Sequence, residues 1–120
     1  MDPAVKRWLH AAELDLKAAG ILLKDRSLSM LVGFHVQQGV RKLLMALTEY
    51  KKLEPIKSRD LLALSERVDD LVELNASALS KLNRVYSDAS CPYGTCAHPG
   101  VITDFKTAKE FYLTFRTPKS

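Results

Sequence analysis

Two adjacent glutamines, Gln37 and Gln38, interrupt the strongly apolar run from Phe34 to Leu47, with His35 just before them and Arg41 just after. Burying an amide without partners costs roughly 1–3 kcal/mol. The pair therefore calls for hydrogen bonds across a helix bundle, a subunit seam or a ligand site. Each neighbour has chemistry of its own. An amide can meet a base edge or a phosphate oxygen, and a guanidinium makes charge-assisted, two-pronged bonds to phosphate. An imidazole is the natural acid–base group near neutral pH. Asp60, further along, offers a carboxylate, although capping of a helix N-terminus explains it equally well. His35, Gln37, Gln38, Arg41 and Asp60 are the candidate binding residues. The bland explanation of the same residues is bridging between helices.

A second cluster, Cys91, Cys96 and His98, has the spacing Cys-x4-Cys-x-His. Thiolates and imidazole are good zinc ligands. Only one half of a site is present, however, and the spacing is looser than a zinc knuckle, so the expectation is no metal. The chain has no Walker loop, dinucleotide fingerprint, serine triad or paired-carboxylate motif, and no cofactor is expected. Lys42, Lys51, Lys52, Lys57 and Arg59 extend the basic character of Arg41 and could attract phosphate electrostatically; solvated helix ends are the alternative.

The elements that must position these residues read as helices. Val5, Trp8, Leu9, Ala12, Leu16, Ala19 and Leu23 recur at three- and four-residue steps, the mark of one apolar helix face. Lys6, Glu13, Asp15 and Lys17 are expected towards solvent, and Pro3 suits the first helical turn. Lys24 to Ser27 should turn the chain into a second helix, Leu28 to Lys52. Val36, Val40, Leu43, Leu44, Leu47 and Tyr50 form one stripe of it, and Met30, Phe34, Gln38 and Met45 a second. Gly39 costs roughly 1 kcal/mol of helix propensity against alanine, a cost that close approach of a neighbouring helix would offset. A third helix is expected from a cap at Ser58, with Leu61, Leu64, Val68, Leu71 and Val72 inward and Glu66, Asp69, Asp70 and Glu73 outward. A fourth, from a cap at Asn75, would turn Ala78, Leu82, Val85 and Tyr86 inward. Residues 87–100 form an irregular loop, and a last helix from Thr103 to Phe115 would bury Phe105, Ala108, Tyr112 and Phe115.

The expected fold is thus all-α, an up-and-down four-helix bundle with an additional C-terminal helix, in a single domain over residues 1–120. A 47% hydrophobic chain of 120 residues is enough for one core and too short for two ordinary domains. No apolar run approaches the roughly 18–20 residues of a membrane span. The opening Met1-Asp2-Pro3 lacks the pattern of a signal peptide, so the expected location is cytoplasmic and the two cysteines are expected as thiols. The net charge of +4 is mildly basic, compatible with polyanions but no proof of them.

The ordered set of motifs resembles the HEPN family, the higher-eukaryote and prokaryote nucleotide-binding domain, over roughly Trp8 to Phe115. The resemblance rests on Ala12-Glu13-Leu14-Asp15-Leu16-Lys17-Ala18-Ala19 in the first helix, and on Phe34, Gln37-Gln38 and Lys42-Leu43-Leu44-Met45-Ala46-Leu47 in the second. Arg59-Asp60-Leu61 and Leu82-Asn83-Arg84-Val85-Tyr86 complete it. It implies a helical bundle that commonly forms homodimers, association with nucleotides or RNA, and partnership with a minimal nucleotidyltransferase in toxin–antitoxin-like modules. No membrane partner is implied.

Some relatives are metal-independent ribonucleases carrying an Arg-x(4–6)-His motif. That motif is absent here: Arg84 is followed by His98 at far too long a spacing, and Arg26 and Arg59 have no histidine at the required distance. Where the family has a glutamate before the lysine of the second helix, this chain has Arg41. Where many relatives carry Arg-Tyr-Pro after the fourth helix, it has Ser90-Cys91-Pro92. No catalytic residue is therefore assigned, and a non-catalytic binding member is expected. A divergent ribonuclease and a purely structural dimerisation module remain the alternatives.

Overall fold

The computed structural model describes residues 2–58, 60–71, 77, 79–80 and 106–110. Among these the chain is all-α, with no strand. Helix α1 spans Pro3–Leu22, a 3-10 turn covers Arg26–Leu28, α2 spans Ser29–Tyr50 and α3 spans Leu61–Glu66. Residues 77, 79–80 and 106–110 are helical as well.

Local chemistry sets each boundary. Asp2 Oδ1 accepts a hydrogen bond from the Ala4 amide at 2.8 Å, satisfying one of the donors that open α1, while Pro3 occupies the first helical position, where no N–H is needed. The turn out of α1 is held by Asp25, whose Oδ1 accepts from both the amide (3.0 Å) and the hydroxyl (2.7 Å) of Ser27. The Ser27 hydroxyl first, and then its amide, hold the Asp25 carboxyl below its ordinary value.

At its far end α2 closes with paired backbone bonds, from the Lys52 amide to the Glu49 carbonyl (2.9 Å) and from the Leu53 amide to the Thr48 carbonyl (3.0 Å). This is the Schellman arrangement, which needs a left-handed residue just past the helix. Lys52 supplies it with φ at 58°, in a place usually taken by glycine.

The third helix starts later than Ser58. Its N-cap is Asp60, which accepts from the Leu62 amide at 3.0 Å, while the Ser58 hydroxyl accepts from the Asp60 amide, also at 3.0 Å. Ser58 thus shapes the approach and Asp60 begins the helix.

The core is the facing apolar surfaces of α1 and α2 closed by α3. Val5, Leu9, Ala12, Leu16 and Ala19 meet Val32, Val36, Val40, Leu43, Leu44 and Leu47, with Leu61, Leu64 and Val68 completing the cluster. Each fully buried leucine or valine contributes roughly 1.5–3 kcal/mol relative to exposure. Leu79 and Ala108 are buried too, which fastens the later helical residues to the same core.

The expected core faces hold with two differences, since Tyr50 and Leu71 are exposed, and the second stripe of α2 divides, with Phe34 exposed and Met45 buried. Ala108 is inward as expected, and Leu79, absent from the expected inward set, is fully buried. Arg59, Val72, the Asn75 cap and the inward set Ala78, Leu82, Val85 and Tyr86 lie outside the described residues. So do Phe105, Tyr112 and Phe115, the 87–100 loop and the side chain of Met30.

Helices α1 and α2 pack closely because of Gly39. A β-carbon built there would stand 3.0 Å from Leu16 Cδ2, 3.1 Å from Leu16 Cγ and 3.6 Å from the Ala12 carbonyl oxygen. The close approach expected to offset the poor helix propensity of this glycine is therefore present.

Candidate functional site

On the seam that Gly39 narrows, one carboxylate joins the two helices. Asp15 of α1 accepts from His35 Nδ1 at 2.9 Å through Oδ1, and from Lys42 Nζ at 2.6 Å through Oδ2. His35 and Lys42 are seven residues apart, two helical turns, and so lie on one strip of α2. They bracket Gly39, which lets the Asp15 backbone come near enough for a short side chain to reach both. Asp15 itself is only 9% exposed, while the side chains of His35 and Lys42 keep about a quarter of their surface. The arrangement corrects the expectation that Asp15 faces solvent. It lies at the edge of the α1 core face, beside Ala12 and Leu16, and the second helix covers it.

The chemistry follows from the donor inventory. A carboxylate accepts, so the bond from His35 uses an Nδ1 that carries hydrogen and leaves Nε2 as the other ring nitrogen. Phe34 and His35 form a T-shaped ring pair, with centroids 5.4 Å apart and planes at 78°. The imidazole is thus set by a carboxylate on one nitrogen and by an aromatic neighbour.

The other candidate residues surround this cluster unevenly. Gln38 is half-buried on α2 between His35 and Lys42. Gln37 is half-buried and has an interaction of its own. Arg41 is half-buried, and its Nε is buried with no hydrogen-bond partner among the described residues. Asp60 belongs to a different element, where its carboxylate caps α3.

The basic residues divide in the same way. Lys42 is engaged by Asp15. Lys51 donates to Asp70 Oδ1 at 2.6 Å and to the Arg67 carbonyl at 3.1 Å, tying the end of α2 to the turn after α3. That bond from Lys51, ahead of smaller backbone contributions, holds the Asp70 carboxyl below its ordinary value. Lys52 and Lys57 are exposed. Arg41, Lys52 and Lys57 have no ion pair among the described residues.

Asp15 and Lys42 both fall inside the motifs quoted above, but the bond between them across the seam is not among the expectations. The available signal is spacing: two cationic-capable residues two turns apart on α2, opposite an acid flanked by core positions on α1. Cys91, Cys96 and His98 lie outside the described residues, and among the described residues no cluster of three or more His, Cys, Asp or Glu is placed to hold a metal. No described helix is long and apolar enough to cross a membrane.

No curated protein and no solved structure is significantly similar to the chain. The model of the HEPN domain family matches residues 5–115, nearly the whole sequence and all but the first two residues of the helices described above. With its α1–α2 seam and its motif order both inside that match, the chain belongs to the HEPN family.

Proposed function

We propose that this HEPN protein is a nucleotide- or RNA-binding accessory protein, acting as a homodimer beside a minimal nucleotidyltransferase in a toxin–antitoxin-like module. The observation that carries the binding role is the polar strip of α2. His35 is oriented by Asp15, Gln38 presents an amide beside it, and the Arg41 guanidinium has a buried nitrogen without a partner among the described residues. Arg41 receives phosphate, Gln38 reads a base edge or a phosphate oxygen, and His35 adds a directed donor or acceptor at Nε2. Asp60 is the outlying member of the set.

Titration of ATP, GTP and a mixed RNA pool at low salt tests the reading. Binding that weakens in Gln38→Ala and Arg41→Ala is expected. Absence of binding by the wild type, or unchanged binding in both variants, removes the site. Light scattering tests the dimer, for which a monomeric mass is the opposing result. Co-purification with a co-expressed nucleotidyltransferase tests the partnership.

A second reading, a divergent metal-independent ribonuclease, draws on the Asp15–His35 pair. A carboxylate fixing one imidazole nitrogen leaves the other able to take a proton from a ribose hydroxyl. That activity requires cutting of RNA in EDTA that disappears in His35→Ala; cutting that survives the substitution rejects it.

A further inference from the structure

Phe34 is 48% exposed on a helix whose inner face is thoroughly buried. A single exposed apolar side chain is ordinary. What sets this one apart is what lies along its strip of the helix. Its ring and that of His35 make a T-shaped pair. Gln38 is one turn further and Arg41 two turns further, so aromatic ring, amide and guanidinium line up on the same side of α2 over about 10 Å. The guanidinium has a buried Nε with no partner among the described residues. Glu49 is the one acidic residue on α2, far along the helix from this strip, so α2 supplies no counter-charge next to Arg41. The strip therefore complements an anionic ligand that also carries flat rings.

We propose that Phe34 is a base-stacking platform and that the ligand of this strip is single-stranded RNA. An unpaired base lies on the Phe34 ring, its edge meets the Gln38 amide, and a phosphate of the same strand meets Arg41. A duplex keeps its base faces stacked inside and can offer this strip only phosphates, whereas an unpaired strand offers both. The proposal rests on the RNA-binding reading above and narrows it to strands with exposed bases.

The test is fluorescence anisotropy at low salt with a labelled mixed-sequence RNA strand, alone and annealed to its complement. The wild type binds the single strand more tightly than the duplex. Phe34→Ala and Phe34→Leu each weaken single-strand binding about tenfold or more, the scale of one lost base–aromatic stack, and leave the weaker duplex binding unchanged. Phe34→Tyr, which keeps the aromatic face, binds as the wild type does. Arg41→Ala flattens the salt dependence by roughly one phosphate contact.

Since Phe34 is half exposed, these variants retain the helical circular dichroism of the parent. The leucine variant separates loss of stacking from loss of apolar surface. Single-strand binding undiminished in Phe34→Leu, or equal affinity for strand and duplex, overturns the stacking platform while leaving RNA binding in place. Failure of the wild type to bind either RNA overturns both readings.

Discussion

Asp15 Oδ2 and Lys42 Nζ stand 2.6 Å apart across the α1–α2 seam, and the same carboxylate holds His35 through its other oxygen. Three polar groups on the flank of an apolar core thereby satisfy one another. Asp15→Asn keeps the volume but replaces one acceptor oxygen with a donor facing a cation. It should lower unfolding free energy by about 1.5–3 kcal/mol in urea denaturation, the scale for hydrogen bonds to charged groups. A double-mutant cycle with Lys42→Met should show coupling between the two sites. Simple additivity would mean that the pair contributes no mutual energy.

Gly39→Ala gains helix propensity but drives a methyl group to 3.0 Å from a leucine that is almost wholly buried. Relief would require the Leu16 side chain to give by a few tenths of an ångström within a packed interface. Overpacking of this kind costs typically about 1–3 kcal/mol, more than the roughly 1 kcal/mol of propensity returned. A net loss is expected, with a lower melting temperature. Combined with Leu16→Ala, the same substitution should become neutral or favourable, because the methyl group then fills space left by the leucine.

Lys52 holds a left-handed conformation that disfavours any residue with a β-carbon. Lys52→Gly should raise stability by about 0.5–1 kcal/mol, the left-handed penalty less the greater chain entropy of glycine when unfolded. Thermal unfolding of the two proteins checks it. A lower midpoint for the glycine variant would show that the lysine side chain contributes more than its backbone costs.

Asp70 has a lowered folded-state carboxyl pKa because Lys51 donates to it. Its contribution to stability is therefore present above the unfolded value of 3.8 and fades as pH falls through the folded value below it. Asp70→Asn should be less stable than the parent at neutral pH, and the gap should narrow under acid below pH 3.8. Denaturation at matched ionic strength at both pH values checks this. A gap that stays constant would assign the effect to something other than the Lys51 pair.

Much of this fold is legible in the residues themselves. The faces of α1 and α2 follow from their three- and four-residue spacing, and Gly39 announces a close helix contact by its poor fit to a helix interior. Asp15 is different. It occupies the edge of a core face, and whether such a residue is wet or covered depends on which neighbour lies beside it, a matter decided by tertiary packing. Ser58 and Asp60 are both competent caps, and choosing between them requires knowing that the serine hydroxyl accepts from the Asp60 amide. Phe34 belongs by its periodicity to a second apolar stripe, which gives α2 more apolar surface than one core face requires. Its exposure shows where that stripe leaves the bundle. Of the candidate binding residues, His35, Gln37, Gln38 and Arg41 share one helix with this ring, whereas Asp60 is drawn to the start of α3 by the Leu62 amide.

The fit of Gly39 against Leu16 also restricts how these helices can move. A slip of α2 by one turn along α1 would bring His35 or Leu43 to the place where a bare hydrogen now fits, and would part Asp15 from at least one of its two cationic-side partners. Both penalties arise together, so the seam acts as a register key with one tooth and one notch. A pivot about that contact therefore costs less than a slide past it.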